Sequence, residues 1–173
     1  MHREKREGVY RVAVPTAMGR FGVSATARGV AMVFLPGAAE SEVSARLGRY
    51  AMKPGPGGQE QAIAAALELL GYLSGQLRRV DTPIDLSHVT PFQKAIYRAL
   101  ASTRFGEKIT YGELARRAGH PGKARAAGAA MRCNPAPIFI PCHRVVPASG
   151  GPGGWSGPSG WKDVLQRHEG IRT

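Results

Sequence analysis

The sequence predicts an α+β protein of two domains, and three observations carry that prediction. Residues 9–35 hold three apolar runs separated by turns of hairpin length, residues after 90 hold helix-start signals, and residues 78–90 carry Pro83 without sustained periodicity. The expected boundaries are a small α/β domain with an antiparallel sheet over 1–80, a linker over 81–89, and a mainly helical domain over 90–173. A chain of 173 residues that is 43% hydrophobic can bury cores of this size.

The first domain opens as a meander. Val9 to Val14, Phe21 to Thr26 and Gly29 to Leu35 read as strands, joined at Pro15 to Gly19 and at Ala27 to Gly29. Residues 40–50 form a short helix. After the breaker Lys53-Pro54-Gly55-Pro56-Gly57-Gly58, residues Gln59 to Leu77 form a second helix whose apolar stripe is Ile63, Leu67, Leu70 and Leu73. Tyr10, Phe21 and Phe34 are core candidates. Residues 1–8 read as a mobile basic tail.

The second domain begins with Thr90 as an N-cap and Pro91 as the first helical residue, ahead of Phe92, Ile96, Tyr97 and Leu100, which places a helix over 91–101. Thr110 caps the next helix, with Glu113 three residues on completing a capping box. That helix runs to Gly119, where Gly119-His120-Pro121-Gly122 forces a turn into a helix over 123–132 crowded with small residues. Two short helices around a glycine-bearing turn are a helix-turn-helix signature, and the small face of the second permits close approach to a partner.

Charge points the same way. Residues 1–90 carry 11 basic and 8 acidic side chains, whereas residues 91–173 carry 13 and 4, so most of the +12 net charge lies in the second half. Such a field favours a polyanion, nucleic acid first. Basic residues are not massed on an amphipathic helix with an aromatic face, so no membrane partner is expected. The charged start contains no apolar run of signal-peptide length, and two cysteines nine positions apart make neither a disulfide framework nor a four-ligand metal pattern. A reducing, cytoplasmic setting is expected.

Cys142 is the candidate nucleophile. It stands in Pro141-Cys142-His143-Arg144-Val145, and a neighbouring imidazole or cation can favour the thiolate. Adjacent side chains diverge, so Cys142 and His143 would communicate through a bridging water or a local kink. Glu169 is the acid placed to orient the imidazole. Against this stands the blander reading of a cysteine buried in the core after three apolar residues. The segment Gly150-Gly151-Pro152-Gly153-Gly154-Trp155-Ser156-Gly157 supplies a flexible rim for a pocket that receives an extruded base, with Trp155 available for stacking.

Taken together, the motifs Thr90-Pro91-Phe92-Gln93, Ile109 to Ala115, Arg125-Ala126-Ala127-Gly128, Asn134-Pro135, Ile140 to Val146, Gly154-Trp155-Ser156-Gly157 and His168-Glu169-Gly170 resemble those of the O6-alkylguanine-DNA alkyltransferases. Their order and spacing cover residues 90–170. The first 80 residues resemble that family's ribonuclease-H-like domain only in pattern.

The resemblance implies direct DNA repair, in which Cys142 takes the alkyl group from O6 of a flipped guanine, or from O4 of thymine, in a single turnover. His143 would act through water as the base, Glu169 would hold it, and Tyr111 would donate a proton to the guanine ring. Asn134 would brace the turn between recognition helix and active site. Arg125 would replace the flipped base in the stack, while Lys123, Ala124, Ala126, Ala127 and Arg132 would face DNA. Met131, Val145, Trp155 and Ser156 would form the pocket, with Lys162 beside its loop. Trp155 stands where the family usually has tyrosine, Pro158 where it usually has glycine, and Cys133 where glycine is common. Some relatives bind zinc through their first domain, but this chain has no cysteine there, so neither metal nor cofactor is expected. The expected partner is double-stranded DNA containing O6-alkylguanine, bound by a monomer that can act cooperatively along the duplex. Three alternatives are a non-catalytic lesion binder, a thiol hydrolase and a helix-turn-helix regulator.

Overall fold

A computed structural model describes residues 8–49, 53–55, 57–151 and 153–172. The tail expected at residues 1–8 therefore lies, apart from Gly8, outside the described residues, as does Pro152 of the glycine-rich rim. The protein is α+β, and the chain divides into two compact units between His88 and Val89.

In the first unit, β1 (Gly8–Thr16), β2 (Gly19–Thr26) and β3 (Gly29–Phe34) form the expected antiparallel meander, with Val12 opposite Val23 and Val23 opposite Val33. Thr16 closes the first turn, its Oγ1 accepting from the Met18 N–H and donating to the Gly19 carbonyl. The short β4 (Lys53–Pro54) adds to the other side of β1 in parallel, giving the order β3-β2-β1-β4. Helix α1 (Glu40–Arg49) contributes Val43 and Leu47 to a cluster with Val9, Met32 and Phe34.

Helix α2 (Gln59–Leu73) departs from the expected reading in two ways. It stops at Leu73, where Ser74 N–H donates to the Leu70 carbonyl, Gly75 enters positive φ, and Leu77 N–H returns to the Gly71 carbonyl. Its buried face is Ala62, Ala65, Leu69, Gly71 and Tyr72, while Ile63, Leu67 and Leu70 are 46, 64 and 39% exposed. Apolar residues lie on both sides of this helix, so periodicity marks it as helical without choosing the face. Close packing against a sheet selects the side with alanines and glycine.

Residues 81–88, expected as part of a free linker, form a strap on the first unit. Val30 N–H donates to the Pro83 carbonyl and Asp85 N–H to the Val30 carbonyl, both at 2.8 Å. Pro83 approaches so closely that a Cβ on Gly29 would lie 2.1 Å from its carbonyl oxygen, and Gly29 has φ +136. The Asp85 carboxylate, 3% exposed, accepts from Thr26 Oγ1 (2.6 Å) and Ser87 N–H (2.9 Å) and pairs with Arg28 at 3.3 Å. The Glu68 carboxylate takes the backbone N–H groups of Asp81 and Thr82. Polar capture of backbone leaves no periodic trace in sequence.

The second unit starts with α3 (Pro91–Ala101), whose capping box is complete: Thr90 Oγ1 accepts from Gln93 N–H, and Gln93 Oε1 accepts from Thr90 N–H. Ile96, Tyr97 and Leu100 are buried, and Tyr97 OH donates to the Ala130 carbonyl at 2.8 Å. Strand β5 (Ile109–Thr110) leads into α4 (Tyr111–Arg117). Thr110 Oγ1 caps α4 through Glu113 N–H, but the expected box is only half made. The Glu113 carboxylate instead binds Arg116 and Arg117, two guanidinium groups offering stronger charge-assisted bonds than one amide. After a turn with Gly119 and Gly122 at positive φ comes α5 (Ala124–Arg132), then β6 (Val145–Val146), parallel to β5, and α6 (Trp161–His168). Among the described residues, no helix is long and apolar enough to cross a membrane.

Candidate active site

Two segments that precede and follow Cys142 set its position. Asn134 bridges the loop after α5, its Nδ2 donating to the Ile140 carbonyl (2.8 Å) and its Oδ1 accepting from Ala136 N–H (3.0 Å). Ile138 within that loop has φ +76, the one non-glycine residue at positive φ among those described, so the Asn134 bonds hold a conformation the backbone alone disfavours. Downstream, Cys142, His143 and Arg144 form one 3-10 turn that runs directly into β6, and pairing of Ile109 with Val145 ties it to the start of α4.

Cys142 lies at the wall of a cavity of about 660 Å³ lined also by Tyr111, Ala124, Arg125, Gly128, Met131, Arg132, Gly154, Trp155 and Ser156. The cavity thus joins the face of α5 to the rim loop and the thiol. Trp155 is fixed by its own N–H, which donates to the Pro158 carbonyl at 2.9 Å, with its ring against Gly157, whose missing Cβ would meet the indole at 2.9 Å. The acceptor at Pro158 is a backbone group, so this bond places the indole whatever side chain stands at 158.

Behind the cavity lies a buried polar network. His143 is fully buried, with Nε2 2.8 Å from Glu169 Oε1. Arg144 forks onto the same carboxylate, Nε to Oε2 at 2.9 Å and Nη2 to Oε1 at 2.8 Å, and its Nη1 donates to the Thr103 carbonyl. Gly106 N–H completes the set on Oε2 at 2.8 Å. Burial alone would raise the Glu169 carboxyl, but the bonds from His143 and Arg144 hold it well below the usual carboxylate range. An ionised Glu169 accepts only, so His143 Nε2 carries the proton and proton exchange passes through Nδ1. Burial pushes the imidazole down against the pull of Glu169, which keeps it neutral and available as a base.

The thiol itself differs from the expected ready thiolate. Burial pushes Cys142 up to about 11, with the Asn134 side chain and the Lys162 charge opposing. The resting group is a thiol, and the proton must leave during reaction. Burial and then the nearby Cys142 raise the Tyr111 phenol, leaving it a proton donor. Lys162 does not line the cavity. It is 4% exposed and donates to the Val145 (2.8 Å) and Gly154 (3.2 Å) carbonyls, joining β6 to the rim.

The structure brings Cys142, His143, Glu169, Asn134 and Tyr111 into one neighbourhood and places Arg125, Ala124, Arg132, Met131, Trp155 and Ser156 around the cavity. Lys123 is exposed at the start of α5, but Ala126 is half-buried and Ala127 is fully buried. Ala127 packs inward because it falls on the α5 face that meets the core with Ala130, so it is not a contact residue. The Val145 side chain is likewise fully buried and is not in the lining of this cavity. Sequence reasoning treated Arg144 only as a charge beside the thiol and missed its hold on Glu169, and it missed Gly128 in the lining, whereas Gly154 falls in the expected rim. It also missed Gln166, whose Nε2 donates to the His143 carbonyl at 2.9 Å. A polar residue four positions after Lys162 and three before Glu169, on one helical face, was the available signal. Among the described residues no three His, Cys, Asp or Glu side chains gather as a metal site would require.

A thiol with a paired base, an aromatic wall and a basic rim define a cysteine acceptor site able to take a flat ring carried on a polyanion. Comparison with known proteins gives that class its family. Residues 91–171 match the family described as 6-O-methylguanine DNA methyltransferase, DNA binding domain. The human methylated-DNA--protein-cysteine methyltransferase is 34% identical over 172 residues, covering 94% of this chain and 81% of that protein. Its Salmonella typhimurium counterpart is 41% identical over 104 residues, which are 60% of this chain but only 61% of the relative's own length. The crystal structure of Mycobacterium tuberculosis OGT in complex with DNA superposes with a TM-score of 0.74 at 30% identity, over 92% of this chain and 91% of that one. The chain belongs to the methylated-DNA--protein-cysteine methyltransferase family.

Proposed function

We propose that this protein repairs double-stranded DNA by direct reversal, moving an alkyl group from O6 of guanine onto Cys142. The observation that carries the reading is a buried thiol on the wall of the cavity that α5 and the rim share, backed by His143 and Glu169. Arg125 and Arg132 are exposed at that cavity, Lys123 is exposed nearby, and the +9 balance of the second half attracts the phosphate backbone.

In this mechanism α4 and α5 act as a helix-turn-helix, and Arg125 fills the space left as the target base turns into the cavity. Trp155 and Tyr111 flank the base. As Cys142 loses its proton towards His143 Nδ1, through water, its sulfur attacks the saturated carbon in line. The S–C bond forms, the C–O6 bond breaks with its electron pair passing to the guanine, and a proton from Tyr111 neutralises the departing ring. Glu169 stabilises the imidazolium that forms. The product is a thioether that no group in the site can reopen, so each molecule reacts once and ends inactive. O4-alkylthymine is a lesser substrate of the same kind. The first unit is a small ribonuclease-H-like domain, supported by its order β3-β2-β1-β4 with β4 parallel to β1, and the protein acts as a monomer that can cluster on DNA.

Incubation with a duplex carrying labelled O6-methylguanine tests the reading. Transfer to protein at one equivalent, absent in Cys142→Ser, is expected. Repeated turnover, or lesion binding with no transfer, would overturn it.

A further inference from the structure

Helix α6 and its cap turn three polar side chains towards the reactive segment, at spacings of four and three. Lys162 takes the Val145 carbonyl, Gln166 takes the His143 carbonyl, and Glu169 takes the side chains of His143 and Arg144. The proposed mechanism gives Glu169 its task, but it makes no use of Gln166.

Gln166 is 1% exposed, and its Oε1 meets no donor among the described residues. A hydrocarbon of the same size would avoid that desolvation, so the amide is retained against a cost. What it contributes is the bond to His143. The 3-10 turn is a single turn: Arg144 N–H returns to the Pro141 carbonyl and Val145 N–H to the Cys142 carbonyl, leaving the His143 carbonyl outside its own hydrogen bonding. The peptide between His143 and Arg144 is held within the turn by its N–H, and Gln166 ties its carbonyl to α6, the helix whose cap carries Glu169, so the backbone of His143 and the partner of its ring are set by one element.

Resting on the alkyl-transfer reading of this site, we propose that Gln166 is a positioning residue: it anchors the main chain of His143 while Glu169 anchors the ring, so that Nδ1 keeps the aim needed to take the Cys142 proton. Two anchors, one on the backbone and one on the side chain, fix an orientation that either alone leaves free. The bond acts before DNA arrives, so it governs the thiol towards every electrophile, in contrast to Arg125, whose effect needs a duplex.

Two variants test this. Gln166→Met keeps volume and removes the donor; transfer from O6-methylguanine duplex and alkylation of Cys142 by iodoacetamide should both slow by about tenfold, the order expected for a misaimed base. Gln166→Glu makes the donor titratable. Its neighbours that ionise are Lys162 and Glu169 on the same helix and Cys142, His143 and Arg144 on the facing turn. While protonated, the new acid donates to the His143 carbonyl and keeps the rate; once ionised, it repels that carbonyl and the rate falls. The variant's pH profile therefore gains a descending limb above neutrality, where the wild-type profile stays flat or rises. Packing loss alone would lower the melting temperature of both variants without creating that limb. A Gln166→Met rate within twofold of wild type, or a Gln166→Glu profile of wild-type shape, overturns the proposal. If the wild type fails to take methyl groups from DNA, the repair reading falls, while the iodoacetamide profiles still decide the role of Gln166.

Discussion

Each unit buries one carboxylate among polar partners, and the two serve different ends. Asp85 gathers Thr26, Ser87 and Arg28 and so clamps a strap to a hairpin. Glu169 gathers His143, Arg144 and Gly106, and one of those partners is an imidazole next in the chain to a thiol on a cavity wall. In both, burial that would raise the acid is outweighed by hydrogen bonds that lower it, Asp85 to about 2 and Glu169 further still. A depressed buried acid is therefore no mark of catalysis by itself. What separates the two is whether a partner can pass a proton to a reactive atom.

That contrast can be broken or sharpened by substitution. The largest effect falls on Glu169→Ala, which strands the Arg144 guanidinium in the interior and should cost about 3–5 kcal/mol by urea unfolding while abolishing fast thiol alkylation. A loss under about 1 kcal/mol would mean Arg144 finds another partner easily. Next, Asp85→Asn should cost about 1–3 kcal/mol without altering the reactivity of Cys142. The sign with pH follows from the lowered acid: Asp85 stabilises fully above its ordinary 3.8, and that stabilisation is lost as pH falls from 3.8 towards 2. The deficit of the variant should therefore shrink over the same range, and a deficit that persists at pH 2 would deny the ionic role.

Arg125→Ala lies on the exposed face of α5, so stability should change by no more than about 0.5 kcal/mol. Its transfer rate should drop at least about tenfold on duplex and little on free O6-benzylguanine, because only the duplex requires a base to be extruded. Equal losses on both substrates would remove Arg125 from that step. The smallest effect belongs to the first unit: Leu67→Gln, 64% exposed, should stay within about 0.5 kcal/mol, whereas Leu69→Ala, two positions on and fully buried, should cost about 2–5 kcal/mol. A reversal of that pair would return the α2 stripe to the core.

Much of the second unit was legible because its signals are local. Thr90, Pro91 and Gln93 specify the start of α3 within four residues, and the Cys142-His143 pair with a distant acid follows from the demands of a nucleophile. What escaped depends on neighbours remote in sequence. The face that α2 buries is chosen by the sheet it meets, and the strap at 81–88 is held by Thr26 and Glu68, which no periodicity links to it. The protonated state of Cys142 follows from burial, which the neighbouring His143 and Arg144 do not reveal in the sequence. Arg144 and Gln166 are read only once Glu169 and the His143 carbonyl are seen beside them.

The most direct test of the account is peptide mass mapping of the intact protein after reaction with an excess of duplex containing O6-methylguanine. The account predicts one added methyl group, on the peptide holding Cys142, with Cys133 unchanged although it is exposed. Folded protein whose Cys142 peptide keeps its original mass would contradict it.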